Sequence, residues 1–195
     1  MLPEQCHIAL KEWAVTVRAL AQGQQVLLLR KGGIHESSKD FRVIHPEFLL
    51  YPTFEHQRED LLKEAHRPGL RYLLDQPREE SQISFTHWTK VEETIEVSQQ
   101  ERVDNLGPYH IWTSDYAQSR LRWKAMLPLS VLLLRVYRLE KPISVPFLPE
   151  YHGCTSWVEV LDWVPLGRLE PVLSDEDFLR RVEEIRGILG VAIPA

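Results

Sequence analysis

Two short apolar runs constrain the fold of this 195-residue chain more than any other feature of its sequence. Residues 26–30 and residues 131–135 both have the sequence Val-Leu-Leu-Leu-Arg, and the first run is followed by Lys-Gly-Gly. Uninterrupted apolar runs of this length that end at a turn are typical of strands buried on both faces of a sheet. We therefore expect two neighbouring strands in one sheet, with Arg30 brought to a turn and Arg135 held inside its strand as a structural residue.

The rest of the chain mixes helical and strand patterns without a regular order. Apolar residues at helical spacing predict an N-terminal helix over residues 4–21 and a C-terminal helix capped by Ser174. Further strands are predicted over residues 41–51, 83–97 and 157–161, and further helices over residues 60–66, 70–74 and 114–123. Because helices do not regularly follow strands, we expect an α+β fold with a mixed, mostly antiparallel sheet or small β-barrel, and with N-terminal, middle and C-terminal helices.

The bulk composition is typical of a globular protein. Apolar residues make up 44% of the chain and charged residues 26%, so we expect residues 1–195 to form a single domain with a sizeable core. Cys6 and Cys154 are too few and too far apart for a disulfide framework. The first residues do not resemble a signal peptide, and no apolar run is long enough to span a bilayer. We therefore expect a cytoplasmic protein without a membrane partner.

The charge is unevenly distributed. The net charge is −5, which gives no overall attraction to nucleic acid. Residues 112–141 nevertheless contain six lysines and arginines against two acidic residues, a local charge of +4. This stretch is either a solvated face or a small anion-binding patch.

No established catalytic or cofactor motif is present. The chain lacks glycine-rich nucleotide loops, the Gly-x-Ser-x-Gly motif, the His-Glu-x-x-His motif and the Cys-x-x-Cys motif. The histidine-containing clusters, one near His45 and one at His152 with Cys154, do not supply the three or four converging ligands that zinc needs. We therefore predict no metal and no cofactor.

Two segments are candidates for a site. In the first, Tyr51, His56 and Gln57 lie at or just past the end of a predicted buried strand, where polar groups line a pocket or cap a short helical turn. In the second, Trp112 precedes Arg120 and Lys124. Aromatic residues beside cations are typical of proteins that bind single strands, although a core tryptophan beside a capped helix gives the same pattern.

Several runs resemble an uncharacterised bacterial family known as a domain of unknown function. They are Ala-Leu-Lys-Glu-Trp-Ala-Val at 9–15, Leu-Leu-Leu-Arg-Lys-Gly-Gly-Ile at 27–34, Phe-Leu-Leu-Tyr-Pro-Thr at 48–53, Glu-His-Gln at 55–57 and Ser-Trp-Val-Glu at 156–159. This resemblance implies a single-domain cytoplasmic protein and supplies no activity. The chain is also similar to PUA-like and ASCH-like barrels in its leading helix, its strand ending Leu-Arg-Lys and its late apolar strand. That similarity implies a cleft that binds RNA or modified bases.

These observations favour a non-catalytic module that binds a nucleotide or RNA. The residues predicted to contact the ligand are Arg30, Lys31, Tyr51, His56, Gln57, Trp112, Arg120 and Lys124. The arginines and lysines supply charge, Tyr51 and Trp112 supply stacking surfaces, and the remaining two supply hydrogen bonds.

Two alternatives stay open. The chain is a hydrolase or nuclease if Glu47, Glu55 and His56 converge as acid, base or ligands. It is a protein-interaction module, such as a homodimer, if it exposes a large apolar patch without a cleft.

Overall fold

The computed structural model describes residues 2–31, 45–123, 125–153 and 155–191, which form a mixed sheet with helices packed against it. The strands are β1 (Gln5–Trp13), β2 (Leu27–Arg30), β3 (Glu47–Thr53), β4 (Gln82–Val97), β5 (Leu129–Pro146), β6 (Trp157–Pro165) and β7 (Glu170–Pro171). The helices are α1 (Ala14–Ala21), α2 (Arg67–Asp75), α3 (Gln100–Asn105), α4 (Ser114–Arg122) and α5 (Asp175–Leu189).

The strands form one open sheet in the order β2-β5-β4-β3-β1-β6, and β7 pairs with the middle of β5. β1 and β3 run parallel, whereas the other described pairs are antiparallel. The prediction of an α+β fold with a mixed, mostly antiparallel sheet is therefore confirmed. Among the described strands the sheet does not close, so the barrel alternative is not formed.

The two Val-Leu-Leu-Leu-Arg runs are neighbours, as predicted. β2 pairs antiparallel with the first part of β5, with Leu28 opposite Leu132, and both leucines are fully buried. Arg135 is a structural residue inside β5, because its buried guanidinium contacts Asp175 at 2.6 Å and lies 4.7 Å from the centre of the Phe178 ring. The runs thus form an apolar strand pair, and the second arginine fixes the start of α5.

The predicted helix over residues 4–21 is wrong in its first half. β1 occupies that half, and only Ala14–Ala21 is helical. β1 lies between β3 and β6, and its neighbouring residues Ala9 and Leu10 are both fully buried, on opposite faces of the sheet. Pairing on both edges and burial on both faces outweigh the helical spacing of the apolar residues, because local propensity is weaker than tertiary packing.

Most other predicted elements are present with shifted ends. β4 covers the predicted strand over 83–97, and β5 contains the second Val-Leu-Leu-Leu-Arg run and continues to Pro146. β6 extends the predicted strand over 157–161 by four residues. β3 begins at Glu47, and the predicted strand residues 41–44 lie outside the described residues.

The predicted helical regions are also found. The region over 60–74 is two 3₁₀ turns followed by α2, and α4 matches the region over 114–123 within one residue. The hydroxyl of Ser174 accepts a hydrogen bond of 3.1 Å from the backbone N–H of Asp177, so Ser174 caps α5 as expected. None of the described helices has the length and apolar character needed to cross a bilayer.

The sheet separates two apolar clusters. Alternate residues of β3 face opposite sides, so that Phe48 and Leu50 join the larger cluster while Leu49 and Tyr51 join the smaller one. The larger cluster packs β2 and β5 against the helices, and the smaller one lies under β6 and the second half of β5. The end of β1 and the start of α1 reach the boundary of the larger cluster, where most of the predicted site residues are found.

Candidate functional site

Tyr116 is at the centre of the candidate site. Its ring on α4 is buried and stacks on Trp112 with ring centres 4.8 Å apart. The ring of Trp13, at the end of β1, has its centre 5.5 Å from the centre of the Tyr116 ring. The guanidinium carbon of Arg120 lies 5.1 Å from the centre of the Tyr116 ring. Thr113 accepts a hydrogen bond from the Tyr116 backbone N–H and so caps the helix that carries this cluster.

An ion pair lies beside this aromatic cluster. Nη2 of Arg30 lies 3.0 Å from Oε2 of Glu12 and donates to the Lys11 carbonyl at 2.7 Å. Burial raises the pKa of the Tyr116 hydroxyl, the Glu12 carboxylate raises this pKa further, and Arg120 and Arg30 lower it. The phenol is therefore neutral and acts as a packing and hydrogen-bonding group.

The first turn of α1 completes the site. Oε1 of Glu12 accepts a hydrogen bond of 2.9 Å from the Trp13 N–H, and Oε1 of Gln57 accepts one of 3.1 Å from the Val15 N–H. Nε2 of Gln57 and Nε of Arg30 are buried, and neither has an acceptor within the described part of the chain. Buried donors in folded proteins are nearly always paired, so these two N–H groups can accommodate an oxygen acceptor from a ligand or a water.

Lys31 lies inside the protein. The residue is 3% exposed, and its ammonium donates a hydrogen bond to the Leu121 carbonyl near the end of α4. Burial lowers the pKa of this ammonium. Lys31 therefore anchors α4 to β2, and a ligand on the surface has no direct access to it.

The two predicted stacking residues are also enclosed. Tyr51 is buried in the smaller cluster, 6.1 Å from the Phe85 ring, and burial raises its pKa to about 12 with further contributions from Glu55 and Tyr151. Trp112 is fully buried against Tyr116. Neither ring offers a face to a base, and the alternative of a core tryptophan beside a capped helix describes Trp112.

The structure therefore brings together part of the predicted set. Arg30, Gln57, Trp112 and Arg120 surround Tyr116 and the start of α1, and Lys31 holds the same helix from behind. Tyr51 belongs to the other face of the sheet. His56 is exposed in the turn after β3, with a φ of 59°. Lys124 lies outside the described residues.

An exposed aromatic residue follows α4 and was not among the predicted contacts. Trp123 is the C-cap of the helix and is 40% exposed. It follows the partly exposed Arg120 by three residues and the exposed Arg122 by one. The sequence could not show which tryptophan of the region is exposed and which is buried.

The proposed catalytic trio does not converge. Glu47 begins β3, whereas Glu55 and His56 follow its last residue. Six residue steps along a strand span about 20 Å, so Glu47 is far from the other two side chains. Within the described residues no group of three or more histidine, cysteine, aspartate or glutamate side chains is arranged to hold a metal ion.

Comparison with known proteins identifies the family. The sequence profile of the domain of unknown function DUF1802 matches residues 9–184, and the chain therefore belongs to this family, as its sequence resemblance predicted. No curated protein matches it.

Two similar solved structures are of the ASCH protein from Zymomonas mobilis. The first is 10% identical to this chain, covering 90% of it and 93% of the other chain with a TM-score of 0.43. A mutant of the same protein is 11% identical, covering 94% and 99% with a TM-score of 0.42.

Proposed function

We propose that this DUF1802 member is a non-catalytic module that binds single-stranded RNA along the exposed side and C-terminal end of α4. Three side chains there, Arg120, Arg122 and Trp123, form what we term the α4 surface. The observation that carries the proposal is the exposure of Trp123 at the end of α4, one and three residues after two arginines, in a chain whose net charge is −5. An exposed indole stacks on any of the four bases, and neighbouring guanidiniums contact the phosphates on either side of that base.

The arginines of the α4 surface are held loosely enough to bind phosphate. Nη2 of Arg122 donates to the neutral Gln118 side chain at 3.3 Å, and Arg120 lies over the Tyr116 ring. Neither contact supplies a compensating negative charge. Cationic side chains are also stabilising at the C-terminal end of a helix, where the backbone carbonyls carry partial negative charge. This effect explains the position of both arginines but not the exposed tryptophan that follows them.

The buried end of the site adds hydrogen-bonding capacity. Nε of Arg30 and Nε2 of Gln57 are two donors without acceptors among the described residues, and both belong to side chains bound at the start of α1. A base carbonyl or ring nitrogen is an acceptor of the required kind. The two donors support a ligand that brings acceptor atoms as well as charge.

Binding to fluorescent single-stranded oligoribonucleotides, measured by anisotropy over a range of salt concentrations, tests the proposal. Replacing Arg120 and Arg122 together by glutamine should reduce the salt dependence by about two counterions. Trp123→Ala should weaken binding by about 1–3 kcal/mol.

Matched controls replace exposed residues away from α4. Arg180→Gln removes an arginine from the exposed face of α5, and Trp163→Ala removes a tryptophan that is 54% exposed on β6. Both should bind RNA as the wild type does. Absence of RNA binding at low salt, or equal losses in the control variants, contradicts the proposal.

A second candidate function is a protein-interaction module that forms a homodimer, and one observation favours it. The edge strand β6 exposes Leu161 and Trp163, and unpaired edge strands are ready partners for another chain. Light scattering of the wild type and of Trp163→Ser tests this function. A dimer that the substitution dissociates supports it, and a monomeric wild type argues against self-association through β6.

A further inference from the structure

A polar groove lies on another part of the molecule, where β4, β5 and the segment before β7 meet. Its volume is about 520 Å³, and its polar lining consists of Thr86, His87, Arg138, Glu140, Arg168 and Glu170. Pockets for small ligands span about 300–1,000 Å³, so the groove can hold a small metabolite. None of the residues predicted from the sequence as ligand contacts lines it.

An irregularity in the sheet creates the groove. His87 is opposite Arg138 and Phe85 is opposite Ile143, so that four residues of β5 face the single residue Thr86 of β4. Insertions of this kind bend a strand and redirect its side chains, and they occur often beside functional sites. The wall is completed by the turn before β7, in which Gly167 has a φ of 59° and an added Cβ would meet Oε2 of Glu140 at 3.0 Å.

His87 forms a neutral hydrogen-bonding group in this lining. It is 8% exposed, and its Nδ1 lies 2.8 Å from the Thr86 hydroxyl. Burial, and to a smaller extent Arg138, lowers its pKa to about 4. The imidazole is therefore uncharged at neutral pH, and with Nδ1 engaged by Thr86 its remaining nitrogen is the one available to a polar ligand.

The charged groups around the groove balance each other. Arg138 and Glu170 form an ion pair of 2.6 Å. Oε2 of Glu140 accepts a hydrogen bond of 3.4 Å from the backbone N–H of Arg168. Within the described part of the chain, no side chain accepts a hydrogen bond from the Arg168 guanidinium, although its charge contributes to lowering the pKa of Glu170. The groove thus offers one cation and one carboxylate with unused hydrogen-bonding capacity.

We propose that this groove binds a zwitterion of amino-acid or dipeptide size, with the ligand carboxylate on Arg168 and its ammonium on Glu140. The lining contains two arginines and two glutamates. A ligand with charge of only one sign pairs with one of these two types, whereas a zwitterion pairs with both. Thr86 and His87 provide neutral hydrogen-bonding groups between the two ends. This site is separate from the α4 surface, and neither proposal depends on the other.

Calorimetric titration of the full chain tests the groove. The probes are the L-amino acids and the dipeptides Ala-Ala and Leu-Glu, each compared with its N-acetylated and its C-amidated form, together with AMP and inorganic phosphate. We expect at least one zwitterion to bind, and blocking either end to weaken binding by about tenfold, because each block removes a charge-assisted hydrogen bond.

The decisive variant is Arg168→Ala, which changes an exposed side chain. It should weaken zwitterion binding by about tenfold and leave RNA binding unchanged, while Arg180→Ala should change neither. Thr86→Val tests the floor of the groove without replacing the buried histidine. The proposal is overturned if no zwitterion binds at about 10 mM, if AMP or phosphate binds as tightly as the zwitterions do, or if Arg168→Ala has no effect.

Discussion

Nη2 of Arg30 lies 3.0 Å from Oε2 of Glu12, and this ion pair joins β2 to β1 although three strands separate them in the sheet. Both side chains are largely buried. The sheet must therefore curl until its two distant strands approach, and a side-chain contact fastens them where no backbone pairing does.

This ion pair gives the first prediction. Arg30→Ala leaves the Glu12 carboxylate buried without its partner, and loss of one member of a buried pair costs about 3 kcal/mol. Combining Arg30→Met with Glu12→Gln removes both charges and keeps the Trp13 N–H capped, so most of the stability should return. Urea unfolding of the single and double variants measures both effects. A loss below about 1 kcal/mol in Arg30→Ala would show that the pair contributes little.

The second prediction concerns the tight turn after α1. Gly23 has a φ of 65°, and a Cβ added there would lie 2.6 Å from Cδ2 of Leu173. Gly23→Ala should cost at least about 1–2 kcal/mol from the left-handed backbone alone. Gly107→Ala is the matched control, because a Cβ at Gly107 meets no atom within 4 Å, and its midpoint in urea should hardly change.

The third prediction concerns the cap of the last helix. Ser174→Ala removes the hydrogen bond that the hydroxyl accepts from the Asp177 N–H, and such a loss costs about 1 kcal/mol. Ser98→Ala, in an exposed segment without helical structure, is the control. Thermal unfolding should show a lower midpoint only for Ser174→Ala. Equal midpoints for the two variants would contradict the capping role.

The fourth prediction is a loss of stability in mild acid. Burial lowers the native-state pKa of His87 and of His110 to about 4, below the 6.5 of an ordinary histidine. Between about pH 6.5 and pH 4 the unfolded chain binds protons that the folded chain does not, so stability falls as the pH falls through this window. The full effect for one such histidine is about 3 kcal/mol.

Two variants separate this effect from general acid sensitivity. His110→Phe keeps a ring beside Trp112 and removes one titrating group, so its stability should fall less between pH 7 and pH 5. Ser98→Ala, which changes an exposed residue without an ionisable side chain, should show the wild-type slope. Urea unfolding at the two pH values supplies the comparison, and parallel slopes for all three proteins would refute the assignment to His110.

The parts of the fold that could be predicted are those in which several consecutive apolar residues indicate burial. The Val-Leu-Leu-Leu-Arg runs are buried on both faces, and a strand covered on both faces of its sheet buries all of their adjacent leucines. β1 could not be predicted in this way, because Leu10 and Trp13 recur at helical spacing, and only the later strands β3 and β6 provide its hydrogen bonds. A pattern within twenty residues does not show a partner 150 residues away.

The site was predicted in part for a similar reason. Arg30 and Arg120 were identified by charge, but Glu12 was not, because its ion pair with Arg30 joins β1 to β2 across three intervening strands. Trp112 and Trp123 are chemically equivalent in the sequence, and only the packing of α4 buries one and exposes the other. The polar groove depends on a register shift between β4 and β5, for which the sequence carries no local signal.

The position of β1 has a consequence for how the chain folds. Its parallel partner β3 ends at Thr53, but its antiparallel partner β6 ends at Pro165, so one edge of β1 stays unpaired until most of the chain has been synthesised. Pairings between such distant segments are made late and slowly, since the entropy of closing a long loop is lost before any contact is gained. We therefore expect refolding on a timescale of milliseconds to seconds, limited by the addition of β6.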